Sequence, residues 1–90
     1  MTLPEVEHDL ARIVALGREV AAVPLYERER ILSVDVPKPK MWSGRSLDES
    51  YRRWLDLVNL TREIRAYKRD PYRPDLLRAD CDALAREIGV

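Results

Sequence analysis

Apolar residues recur at helical spacing in three stretches of this chain, and two other stretches break that spacing. In the first, Leu3, Val6, Leu10, Ile13, Val14, Gly17 and Ala21 share one face at 100° per residue. Thr2 and Glu5 stand as a capping box, with Pro4 in the first turn and Pro24 beyond the end. This predicts helix 1 over about 3–22. Gly17 and Ala21 lie four apart on the apolar face, where small residues let another helix come close. Gly17 reads equally as a tolerated defect costing about 1 kcal/mol against Ala.

The second helical stretch, Ser46–Tyr67, carries two stripes. Leu47, Tyr51, Trp54 and Val58 form one, and Leu57, Leu60, Ile64 and Tyr67 form another, rotated from the first. Ser46 and Glu49 give a second capping box. A central helix over about 47–68 that is apolar on two sides needs two neighbours, and Trp54 is placed at the core. The third stretch, about 74–88, has Leu77, Cys81, Leu84 and Ile88 on a single stripe, with Gly89 at the C-cap position. Its connector from the central helix is short, so the two should be antiparallel neighbours.

The remaining stretches are less regular. Pro24 can open a short helix near 24–33 that turns Leu25, Ile31 and Leu32 inward. Alternatively, Leu32, Val34 and Val36 alternate with Ser33 and Asp35 as in a strand. A lone strand has no partner within this chain, so a short helix running into extended chain is the favoured reading. Residues 34–45 form the one clear non-helical connector, because Pro37 and Pro39 hold their preceding residues extended. Trp42 within it is either a lid folded over the core or an anchor for a partner. The fold predicted is all-α: a small three-helix bundle in one domain spanning 1–90, with or without a short fourth helix near 24–33. A long proline-containing loop precedes the central helix.

Composition narrows the function classes. Ninety residues make one small core of modest stability. Sixteen basic and sixteen acidic residues cancel, so no global field attracts nucleic acid or an anionic membrane. The polar face of helix 1 carries Glu5, Glu7, Asp9 and Glu19, which also argues against anionic lipid. A lone cysteine allows no internal disulfide, and neither a long apolar run nor a basic-then-apolar leader is evident. A cytoplasmic setting is the expectation. Thirteen arginines against three lysines point to a GC-rich bacterium or its phage.

Catalytic chemistry finds little to work with. His8 and Cys81 are the only nitrogen and sulfur ligands of their kinds, far short of the four convergent ligands of a zinc site. Asp80 and Asp82 point to different sides of their helix. Cys81 lies on an apolar stripe, the ordinary place for an inert thiol. No glycine-rich loop follows a strand, and no serine stands in a nucleophile elbow. No catalytic residue, cofactor, metal or small-molecule substrate is expected.

Two binding functions remain. The first is a non-enzymatic protein–protein interaction module, such as an adaptor, an accessory subunit or a small phage or regulatory protein. It would act through apolar surface left uncovered on so small a chain, against a protein partner or in a homodimer. Trp42, Leu57, Leu60, Ile64, Tyr67 and Leu16 are its candidate contacts. The second is nucleic-acid binding. Arg62, Arg65, Lys68, Arg69 and Arg73 outnumber Glu63 and Asp70 near the end of the central helix, and the proline-rich loop adds Lys38 and Lys40. Cations also gather at helix C-termini because the helix dipole favours them. The connector before the third helix does not suit a tight helix-turn-helix, so the interaction module leads.

Overall fold

The computed structural model describes residues 3–43, 49–69 and 73–90. Among these residues four α-helices follow one another: α1 over Leu3–Ala22, α2 over Arg28–Leu32, α3 over Glu49–Tyr67 and α4 over Pro74–Ile88. A 3-10 turn at Leu25–Glu27 leads into α2. Among the described residues there is no strand. The small all-α bundle anticipated from periodicity is present, with the short fourth helix. The capping boxes at Thr2 and Ser46, Leu47 of the first α3 stripe and the acid at Asp70 lie outside the described residues.

The helix ends follow local chemistry. Pro24, at φ −63° and ψ 152°, turns the chain extended after α1. Pro74 opens α4, where its missing N–H costs no hydrogen bond. Gly89 closes α4 at φ 80°, a conformation a side chain resists, and the Val90 N–H then reaches back 2.9 Å to the Ala85 carbonyl.

The hub of the bundle is α1. It packs along both α3 and α4, whereas α3 and α4 meet over a short stretch. Leu10, Ile13, Val14, Val20 and Ala21 of α1 are buried together with Leu57, Leu60 and Ile64 of α3 and Leu77, Cys81 and Ala85 of α4. Gly17 sits where the three meet. A Cβ there would lie 2.4 Å from Cys81 Sγ and 3.3 Å from Ile64 Cδ1, so this glycine permits a close approach and is no mere defect. Polar contacts fix the directions. Arg53 of α3 reaches Glu87 of α4 at 3.2 Å, while Glu63 meets Asp80 further along, so α3 and α4 are antiparallel as expected. Arg18 of α1 pairs with Asp82 at 2.9 Å, and Arg78 donates to the Ala21 carbonyl at 3.4 Å.

The second neighbour of α3 is the connector itself. After α2 the chain runs extended, with Val36 buried, Val34 half-buried and Ser33 and Asp35 outward. Its alternation is strand-like, but side chains of α3 partner its carbonyls. Lys68 Nζ donates to Val34 O, Arg65 Nη2 to Val36 O at 3.0 Å and Trp54 Nε1 to Lys40 O at 2.8 Å. Contacts descend α3 as the connector advances, so the two run antiparallel. The lengths agree: six residues of extended chain span about 20 Å, and fourteen of helix about 21 Å.

Candidate interaction surfaces

Burial overturns the premise behind four of the six residues assigned to a partner. Leu57, Leu60, Ile64 and Tyr67 are 1%, 2%, 0% and 7% exposed, covered within one copy of the chain. α1 and α4 enclose Ile64 at Gly17 and Cys81, and the connector, which the expectation did not count as a neighbour, reaches Leu57. The connector lies over the same side of the bundle, where Pro37 and Pro39 line a crevice with Ile13, Leu57 and Thr61. That crevice encloses about 20 Å³, room for a water molecule or two and no more. Thr61, buried among these residues, satisfies its hydroxyl by donating to the Leu57 carbonyl at 2.7 Å.

The stripe placed at the core is the less covered one. Trp54, Tyr51 and Val58 are half-buried, and the Tyr51 and Trp54 rings stack with centroids 5.7 Å apart. Trp54 keeps its ring edge at the surface because its N–H is committed to the connector. Trp42 is also half-buried, between the lid and the anchor envisaged for it. Its Nε1 is buried with no hydrogen-bond partner among the described residues.

Leu16, the sixth residue, is half-buried and lines a groove with Val20, Val23, Pro24 and Val34. The rim of this groove carries Glu19 and Arg30. Directly after the lining residue Pro24, Leu25 is 59% and Tyr26 88% exposed; Leu32 on α2 is 56% exposed. Of the three residues expected to turn inward near 24–33, only Ile31 does so. A five-residue helix offers the bundle one inward position, and Leu32, rotated 100° from Ile31, faces out. Periodicity missed Leu25 and Tyr26 because they sit on the 3-10 turn, outside the helical register. The signal available was their number: more apolar residues stand there than so short an element can bury.

The basic residues divide. Arg62, Arg69, Arg73, Lys38 and Lys40 are exposed. Arg65, exposed as well, and the half-buried Lys68 clasp connector carbonyls, and Arg28 donates to the Lys68 carbonyl at 3.3 Å. Their charges remain, but their donors are partly spent on holding the fold. The antiparallel course of the connector brings Lys38 and Lys40, distant in sequence, alongside α3.

Three acidic or thiol groups are perturbed. Burial is the main cause lifting the Glu63 carboxyl to about 7, helped by its hydrogen bond to Asp80 and the charge of that neighbour. Burial likewise pushes the Cys81 thiol up to about 11, with repulsion from Glu63 next, so the buried thiol stays protonated at neutral pH. Asp56 is raised by desolvation first and by Glu87 second, against the pull of Arg53 and Arg52. Asp80 and Asp82 serve different partners, Glu63 and Arg18. Among the described residues, no three His, Cys, Asp or Glu side chains converge as a metal site would require, and His8 is exposed. Nor is any described helix long and apolar enough to cross a membrane. Comparison with known families, characterised proteins and solved structures finds no match for the chain.

Proposed function

We propose that this chain is a non-enzymatic protein–protein interaction module, an adaptor, accessory subunit or small phage or regulatory protein of a bacterial cytoplasm. The supporting observation is the corner where α1 gives way to α2. There an apolar groove lined by Leu16, Val20, Val23, Pro24 and Val34 is followed directly in the chain by two exposed large apolar side chains, Leu25 and Tyr26. Contiguous apolar surface rimmed by charge is the usual mark of an interface on a small protein. A tyrosine projecting beside such a groove is a residue type enriched among interface anchors. The test is capture of partners from the native cell by the intact chain and by Tyr26→Glu. A stoichiometric partner retained by the first and lost by the second is the result expected. Equal recovery with both would move the interface elsewhere.

A nucleic-acid reading has one observation in its favour. The connector carries Lys38 and Lys40 along α3, where Arg62 of the helix and Arg69 of the turn after it are exposed. Paired cationic rows are suited to phosphate, and the binding they give weakens steeply with salt. Mobility shifts at two salt concentrations, with the wild type and an Arg62→Ala/Arg69→Ala variant, decide it. Absence of a shift at low salt removes this reading.

A further inference from the structure

The α1–α2 corner carries a projection and a recess side by side on one molecule. Leu25 and Tyr26 stand out from the bundle immediately after Pro24, and Pro24 itself lines the recess with Leu16, Val20, Val23 and Val34. A surface of this form is complementary to its own copy, since a two-fold axis places each projection against the other's recess. Charge agrees with shape. The groove holds one acid, Glu19, and one base, Arg30, and a two-fold axis passing between them sets Glu19 of each copy toward the partner's Arg30. The existing contact of Arg30 with Glu27, 2.8 Å, lies between exposed groups, and such a pair is weak enough to exchange partners.

We propose that the chain forms an isologous homodimer through this corner, with Leu25 and Tyr26 of each copy seated in the groove between Leu16 and Val34 of the other. The proposal rests on the interaction-module reading and names its partner as a second copy. The closing of the groove by tyrosine suits the low entropic cost of fixing a side chain with only two rotatable bonds. Leu25 and Tyr26 are exposed and outside the buried core, so variants at these two positions leave folding intact.

Light scattering coupled to size exclusion, from low to high micromolar concentration, reads the outcome. The wild type should approach twice the single-chain mass of 10.5 kDa. Tyr26→Glu should raise the dimer dissociation constant about tenfold or more, as loss of an interface anchor does, with an unchanged helical circular dichroism spectrum. Glu19→Arg should weaken the dimer, and Glu19→Arg combined with Arg30→Glu should restore it. A single-chain mass at every concentration overturns the proposal. So does a dimer that survives Tyr26→Glu, or a charge exchange that fails to restore association. A monomer that still captures a Tyr26-dependent partner would sink the homodimer and leave the module reading standing. A monomer that captures none would end both.

Discussion

The two apolar regions of this molecule, the α3 stripe at Leu57–Tyr67 and the corner at Leu25–Leu32, have opposite fates. The stripe has more hydrophobic side chains than one neighbouring helix can hide, yet it is covered, because α1 and α4 pack against it and an extended connector, fastened by its carbonyls, flanks it at Leu57. The corner also has four apolar residues, Leu25, Tyr26, Ile31 and Leu32, and leaves three of them in water, because a five-residue helix and a 3-10 turn present almost nothing inward. Coverage thus follows from which backbone passes nearby, and only secondarily from how apolar a segment is. Irregular chain can cover a helix face as well as another helix can, provided its own polar groups find donors.

The largest effects that can break this contrast lie in the covered region. Leu60→Ala should cost about 2–5 kcal/mol in urea unfolding, whereas Leu25→Ala should stay within about 0.5 kcal/mol. Comparable losses at both sites would mean that the corner is also core. Next comes the three-helix junction. Gly17→Ala gains helix propensity but forces a methyl group into Cys81, so a net loss of about 1–3 kcal/mol is expected. Adding Cys81→Ala should recover most of that loss, and a double-mutant cycle without coupling would refute the close contact.

The connector's fastening is worth less. Lys68→Met or Arg65→Met should each cost about 1–2 kcal/mol, as loss of a hydrogen bond from a charged donor does. Proteolytic cleavage within residues 34–40 should quicken in both variants. Unchanged cleavage would show that apolar burial of Val36 alone holds the segment.

The subtlest test concerns the junction of α3 and α4, where Glu63 meets Asp80. Folding raises Glu63 from its ordinary 4.5 to about 7, so the folded chain binds this proton more tightly than the unfolded chain. That contribution to stability is complete below about 4.5 and is lost as pH rises through about 7. Melting temperatures of the wild type should therefore fall between pH 5 and pH 8, and Glu63→Gln should flatten the decline. Identical pH profiles for the two chains would remove Glu63 as the cause.

Much of this architecture was legible in the residues themselves. The bounds of α1 and α4, the stop at Pro24, the start at Pro74 and the left-handed Gly89 all follow from side-chain periodicity and local backbone chemistry, which act over a few residues. The extended course after α2 was also foreshadowed by Val34 and Val36. The candidate site was legible only in part. Leu16 sits in the groove, but Leu57, Leu60, Ile64 and Tyr67 are interior, and Arg65 and Lys68 hold the connector.

What the sequence by itself determined is where helices form and which face of each is apolar, since both depend on neighbours within a turn or two. What only the tertiary structure decided is which apolar faces end up covered, that α1 serves as the hub, and which cations are tied to the backbone. Those outcomes depend on the path of an extended segment past a helix that comes later in the chain. No local pattern encodes that path, because it is fixed by packing and by hydrogen bonds between residues far apart in sequence.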